Sequence, residues 1–407
     1  MVVERTERHI LKYNLKEIDE LCFNSKNLYN YCNYILRQSF IQTGKLPKEY
    51  ELSKQLTKEK QIDWVKMGSN TNQQILKLLY KNWKSFFKAN QEYKKNSSKF
   101  KGRPKLPKYK DKEKGRNIVI FPCNNKNNIY DSLFHFPKFT KINPIKTFVT
   151  NKNLAQARIV PQTNCYILEI VYKINISDNK VSDDNILSID LGINNLAACF
   201  DRDNNSSFII SGKIIKSFNQ FYNKQSAKLK STTKIVNNKE ISKRLKRLSL
   251  KRENKIIDYF HKSTKYIIDY CMEHNIGKVI VGHNKDWKQN SNLGKINNQK
   301  FIQIPFNKFI QQLNYKCENI GLEFILTEES YSSKIDHLAK EEMKHQESYL
   351  GKRKKRGLFQ SSRGFEINAD INGAIGIMRK VISNSEFNQI VDRGVVITPN
   401  RINIYSK

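Results

Sequence analysis

The spacing of apolar and polar positions divides the chain into two textures. Residues 1–15, "MVVERTERHILKYNL", alternate at period two and predict a strand. Helical spacing follows. "LKEIDELCFNSKNLYNYCNYILRQSF" puts Leu28, Cys32, Ile35 and Leu36 on one stripe, and "NQQILKLLYKNWKSFFKANQEYKK" repeats Ile75, Leu79, Trp83, Phe86 and Phe87. Both stripes read as core rather than binding surface. Gly102, Pro104 and Pro107 interrupt the pattern in "FKGRPKLPKYKDKEKGR" (100–116), and "NIVIFP", "SLFHFP", "ARIVP" and "CYILEIVYKI" then read as short strands. The predicted arrangement is a small β-barrel or sheet, built from 1–15 and 100–178, with a helical segment (16–99) inserted into it.

From residue 183 the pattern is α/β. "ILSIDL" and "LAACF" are apolar runs joined by "GINN", and "FIISGKIIKSF" predicts a third strand at hairpin spacing, hence antiparallel. A basic helical stretch (219–275) carries Leu245, Leu248, Ile256, Phe260, Ile267 and Cys271, and leads to "GKVIVGHN", a strand that a helical crossover makes parallel to the first. A helix from Pro305 to Gly321, the strand "LEFILTEES", a basic irregular segment (331–365), a helix around "INADINGAIGIMRKVI" (366–383) and a tail (384–407) complete the chain. The order over 183–383 is that of the ribonuclease H-like fold.

Charge changes the picture next. Lys plus Arg number 73 against 38 Asp plus Glu, a net +35 spread along most of the chain. An excess this large repels itself in a compact fold unless a polyanion is the normal partner, which favours nucleic acid over a solvated lysine halo or a membrane surface. The 22 Phe and 19 Tyr argue against disorder and can both fill a core and stack on bases. In 100–116 a solvated linker is the plain alternative to an extended phosphate-contacting segment carrying Lys101, Arg103, Lys105, Lys108 and Lys110. Arg244 and Arg247 in the long basic helix, and Lys352, Arg353, Lys354, Lys355 and Arg356 in "GKRKKRG", are the other candidate phosphate contacts. Seven scattered cysteines form no C-x-x-C pair, so no zinc or disulfide framework is expected. The amino-terminal residues have no apolar leader core, and no window approaches the length of a membrane span, so a cytoplasmic, nucleoid-associated protein in a reducing compartment is expected.

Two carboxylates carry the candidate chemistry. Asp190 lies inside an apolar strand beside Ile189 and Leu191. Asp370 opens a helix whose Ala374, Ile377 and Met378 are apolar at i+4, i+7 and i+8, so it faces the sheet, and Gly373 leaves room for close approach. An isolated buried carboxylate must be paired, protonated or bound to a cation, and clustered carboxylates cannot all ionise without one. A helix cap or hydrogen-bonded turn is the plain reading of either alone. Together, in this strand order, they predict a Mg²⁺ site of the two-metal nuclease kind, with Mn²⁺ a substitute. The third carboxylate expected at the end of the fourth strand is missing, since Gly282, His283 and Asn284 stand there. The fifth strand ends in "LTEES", supplying Glu328 and Glu329, of which alternation along a strand lets only one reach the site.

"SIDLGINNLAACF", "FEINADINGAIGIMRK" and "YSSK" with a preceding Glu resemble the TnpB family, transposon-encoded relatives of type V CRISPR effectors, along nearly the whole chain. The resemblance implies an RNA-guided double-stranded DNA endonuclease. It would consist of a wedge β-barrel with a helical recognition insert, and a RuvC nuclease domain (183–330) completed by 366–383. The guide RNA would come from the transposon end, and the N-terminal half would read a short motif beside the target. Two departures stand out. The strand-four Glu is absent, and comparison with relatives such as the Fanzors, which carry it just before the insertion, selects Glu329 over Glu328. The family's four-cysteine zinc ribbon falls in 331–365, which holds no cysteine, so no zinc is expected there. Asp190, Glu329 and Asp370 are then the implied metal ligands. The alternatives are a guide-directed DNA-binding protein without cleavage, acting as a repressor, and a transposase acting directly on DNA ends.

The charge and the basic stretches 94–116, 219–252 and 351–357, with the guide RNA that the resemblance implies, generate one prediction. The protein binds structured RNA tightly, with log affinity falling by roughly 0.7–0.9 per neutralised phosphate for each log unit of salt. Filter binding over a salt series checks it, and binding indifferent to salt would refute the polyanion reading.

Overall fold

The computed structural model describes residues 2–123, 127–163, 165–176, 185–237, 242–284, 303–392 and 398–405 of the 407. They form two compact units, Val2–Asn175 and Ile176–Lys407.

In the first unit β1 (Val2–Leu11) alternates exposed and half-buried positions along its whole length. Four helices follow: α1 (Leu15–Thr43), α2 (Glu49–Lys58), α3 (Ile62–Lys66) and α4 (Ser69–Lys95). The helical stripes are core, as expected: Leu28, Cys32, Leu36, Leu79 and Trp83 are fully buried, and Phe40, Phe86 and Phe87 surround the Trp83 ring at 5.5–6.0 Å. The strands are β2 (Val119–Pro122), β3 (Ile129–Tyr130), β4 (Leu133–Phe134), β5 (Ile145–Lys146), β6 (Leu154–Pro161) and β7 (Tyr166–Asn175). They make a four-stranded antiparallel sheet in the order β1-β7-β6-β2 and a three-stranded sheet β3-β4-β5.

The second unit is built on a six-stranded mixed sheet. β8 (Ile186–Leu191), β9 (Asn195–Asp201) and β10 (Ser206–Ser211) form an antiparallel meander, followed by α5 (Lys213–Asn237) and α6 (Lys243–Glu273). β11 (Lys278–Gly282), α7 (Phe306–Asn319) and β12 (Glu323–Thr327) add two parallel strands, giving the order β12-β11-β8-β9-β10. This is the ribonuclease H-like order read from the sequence. Leu187, Ile189 and Leu191 join the core with Phe260 of α6 and Phe309 of α7. Ile186, two residues from Ser188 and four from Asp190 on the opposite face, packs with the last two helices of the chain.

Three expectations need correcting. "FIISGKIIKSF" is a strand only as far as Ser211. The Gly212 N–H donates to Asn194 O at 2.7 Å, and a Cβ there would stand 2.3 Å from Ile193 O, so the chain turns and α5 begins. The single helical stretch 219–275 is two helices. The segment 331–365 is not wholly irregular, because β13 (Lys352–Lys355), β14 (Leu358–Gln360) and β15 (Glu366–Asn368) make a small antiparallel sheet that turns at Gly357 (φ +84°) and buries Phe359 and Ile367. After α8 (Ala369–Arg379) and α9 (Asn384–Asp392), part of the expected tail forms β16 (Asn400–Ile402), which pairs parallel with β10. Among the described residues no helix is long and apolar enough to cross a membrane.

A buried carboxylate ties the β13–β15 segment together. Asp336 is fully buried and accepts hydrogen bonds from Ser361 Oγ (2.9 Å), Ser362 N (2.7 Å) and Oγ (3.0 Å), and Ala339 N (3.1 Å). Its own N–H donates to Glu341 Oε2 at 2.7 Å, and Glu341 Oε1 accepts from Leu350 N at 2.9 Å. Removing one acceptor strands several buried donors, each at a cost of ~1–3 kcal/mol. Asp336→Ala is therefore expected to destabilise the second unit by ~2–4 kcal/mol in chemical unfolding, and Asp336→Asn by less.

Candidate functional site

Asp190 stands on β8, the strand between β9 and β11, opposite Ala198 of β9. It meets α8 at Gly373: a Cβ at that glycine would lie 2.6 Å from Asp190 Oδ2. The room that Gly373 leaves is occupied by the carboxylate itself.

Asp370 lies in the first turn of α8, yet it does not cap the helix. That role falls to Asn368, whose side-chain oxygen accepts from Asp370 N at 3.0 Å and Ile371 N at 3.3 Å. The Asp370 carboxylate is thereby left to interact elsewhere. Asn195, from the "GINN" connection, donates its Nδ2 to Asp370 Oδ2 at 2.5 Å, and Arg353 Nη2 of β13 is 3.9 Å from Oδ1. Asn195 and Asn368 were not among the sequence candidates. Their only signals were an Asn two residues before an acidic first turn, and the repeated Asn after "IDLG".

Contrary to the strand alternation expected through "LTEES", the two glutamates lie beyond the end of the strand. β12 ends at Thr327, whose carbonyl accepts the His283 N–H at 2.8 Å, and the ladder stops there. The side chains nevertheless diverge. Glu328 is exposed and accepts from the Ser330 hydroxyl, whereas Glu329 is partly buried and its Oε1 has no hydrogen-bond partner.

These placements act on one another. Desolvation, then the Glu329 and Asp370 carboxylates, push Asp190 well above the usual carboxylate range, opposed mainly by Arg353. Burial lifts Glu329 to about 7, with Lys380 pulling the other way. Among the described residues no group of three His, Cys, Asp or Glu closes tightly enough to hold a metal ion as the side chains stand. The chemistry of the donor set still fits one: three carboxylates, two of which raise the proton affinity of Asp190, and one buried oxygen without a partner suit a hard divalent cation.

Asp370 and Asn195 also line a cleft of about 1040 Å³ whose cationic side chains are Lys213, Lys216, Arg353, Lys355, Arg356 and Arg401. Lys352 and Lys354 of β13 are exposed beside it, Lys354 paired with Glu366 at 2.7 Å. Arg244 and Arg247 are exposed on α6. Of these cations Lys213, Lys216 and Arg401 were not singled out in the sequence, because nothing local distinguishes them from other lysines and arginines.

In the first unit the basic segment after α4 is laid along α1. Asn33 Nδ2 donates to Pro107 O (3.0 Å), Asn30 exchanges two hydrogen bonds with Lys110 (2.9 Å each), Lys26 Nζ donates to Lys112 O (2.6 Å) and Ser25 Oγ to Ile118 O (2.8 Å). Lys26, Asn30 and Asn33 recur every three or four residues with Ser25 beside Lys26, so one helix face carries the whole ladder. Lys101, Arg103, Lys105 and Lys108 are exposed along this track. Lys110 differs, being half-buried with its ammonium 5.1 Å from the Tyr29 ring centroid.

Residues 169–288 match the OrfB_IS605 family, described as "Probable transposase", and residues 306–377 match the "Cas12f1-like, TNB domain" family. Among solved structures, the chain aligns with that of the Cas12f1-sgRNA-target DNA complex at 14% identity and TM-score 0.39, covering 93% of this chain and 100% of the other. It aligns with the mini-RNA-guided endonuclease CRISPR-Cas_phi3 at 10% identity and TM-score 0.48, covering 98% and 93%. No curated protein matches.

The raised proton affinity of Glu329 has a defined sign. A carboxyl whose folded pKa (about 7) exceeds its unfolded value (4.5) stabilises the fold below the unfolded value and loses that contribution as pH rises through the folded one. The metal-free protein should therefore lose stability between about pH 4.5 and 7. Glu329→Gln should flatten that slope in thermal unfolding, both by removing the group and by relieving Asp190.

Proposed function

We propose, on the premise that the chain is TnpB-like, that it is an RNA-guided endonuclease of a mobile element, cutting guide-matched double-stranded DNA beside a short flanking motif. The observation that carries this reading is the convergence of Asp190, Glu329 and Asp370 next to a cleft rich in Lys and Arg. Asp190, Glu329 and Asp370 would hold Mg²⁺, which when bound activates water and stabilises the leaving oxygen of a phosphodiester. Asn195 keeps the Asp370 carboxylate aimed through its 2.5 Å hydrogen bond. Lys213, Lys216, Lys355, Arg356 and Arg401 neutralise and align the phosphate backbone of the strand entering the cleft. The exposed cations on the α1 track, Lys101, Arg103, Lys105 and Lys108, would contact guide or target backbone in an extended register.

The test is to sequence the RNA that co-purifies with the protein, and then to program cleavage of a matched plasmid in Mg²⁺. Asp190→Ala and Asp370→Ala should each reduce cleavage by roughly 100-fold or more while RNA binding stays near that of the parent. Chelation should have the same effect. Glu329→Gln should abolish cutting, whereas Glu328→Gln, on the exposed neighbour, should lower it only modestly. A parent protein that holds RNA and matched DNA but never cuts would replace the nuclease with a repressor.

A further inference from the structure

The end of β11 and the residue after β12 compete for one volume. A Cβ built at Gly282 would lie 2.7 Å from Glu329 Cγ, and 2.4 Å from Ile377 Cδ1 of α8. Contacts that short force a shift, so a side chain at 282 would displace the Glu329 stem as well as the Ile377 side chain. Glu329 lies beyond the last ladder pair of its strand, Gly282↔Thr327, and its main chain is fixed by other means. Asn284, two residues past Gly282, accepts the Glu329 N–H on its Oδ1 at 2.9 Å. The Glu329 carbonyl accepts from Ser332 twice, from N at 3.1 Å and from Oγ at 2.9 Å. Ser332 is itself buried, and its carbonyl bonds the His337 ring nitrogen at 2.8 Å.

We infer that Gly282, Asn284 and Ser332 are positioning residues for the Glu329 carboxylate: Gly282 by leaving the volume vacant, the other two by clamping the main chain on either side of it. The inference rests on Glu329 being a metal ligand. An irregular residue past a strand end has the backbone freedom to swing its side chain by several ångströms, and the two clamps remove it. The site can thus take a carboxylate from the end of β11 or from the loop after β12, but not from both.

Two measurements on the full-length protein with its bound RNA test this. In a thermal-unfolding cycle, Gly282→Ala should lower Tm in the parent and lower it distinctly less in a Glu329→Ala background, where Cγ is gone. Equal losses in both backgrounds would overturn the shared-volume argument. Mn²⁺ binding, followed by electron paramagnetic resonance, should weaken about 10- to 100-fold in Asn284→Ala, as in Glu329→Gln, and recover largely in Asn284→Asp, which keeps the acceptor. If Asn284→Ala fails to fold, Ser332→Ala carries the same test through the other clamp. Parent-like Mn²⁺ affinity in the clamp variants, with Glu329→Gln weakened, overturns the positioning role and leaves the ligand assignment standing. Parent-like affinity in Glu329→Gln overturns the ligand assignment as well.

Discussion

A carboxylate on the middle strands of a sheet, packed beneath a helix, loses hydration that the rest of the chain only partly replaces. At Asp190 the loss is compounded by Glu329 and Asp370, and is opposed by little more than the Leu191 N–H and the nearby Arg353. Packing around it follows from that constraint. α8 must come close enough to carry Asp370 to the sheet, and it does so where Gly373 offers no Cβ. Asn368 must take the capping role, or the Asp370 carboxylate would be spent on its own helix. A strand that carries such a charge costs stability in the metal-free state.

The same economy of space governs the third carboxylate. Gly376, one turn beyond Gly373, lets α8 lie against His337 and the Ser332 carbonyl, so the helix that brings Asp370 also abuts the turn that follows Glu329. The β13–β15 segment reaches the site from the other side through Arg353. In place of cysteines it is braced by hydrogen bonds to Asp336 and Glu341, an arrangement that works because every buried carboxylate oxygen there has a donor.

The large positive charge is put to different uses in different places. Some cations are structural: Lys26 is buried under the 107–118 segment, and Lys110 is turned onto Tyr29. Others line a cleft or an extended exposed track, where like charges repel until a polyanion arrives. Composition measures only the sum of these roles. Burial and hydrogen bonding separate them.

Much of the second unit was legible in the sequence, because strand periodicity, crossover length and the placement of Asp190 and Asp370 are local properties or follow from chain order. The helical stripes of the first unit were legible for the same reason, since 3.6-residue spacing is a direct record of burial on one face. Strand ends were less so. Alternation does not continue to Glu328 and Glu329, because the end of a ladder is decided by the partner strand, and the helical spacing of 219–275 does not show the break that Ser242 makes by capping α6. The hydrogen bonds to Asp370 from Asn195 and to Glu329 from Asn284 join residues 175 and 45 positions apart. The contest between Gly282, at the end of β11, and Glu329, just past β12, likewise sets residues far apart in the chain against one another. The sequence by itself determined which residue types could do the chemistry and on which elements they lie. Only the tertiary structure decided what holds Glu329 in place, since that depends on contacts between segments far apart in the chain, whose spacing no local pattern encodes.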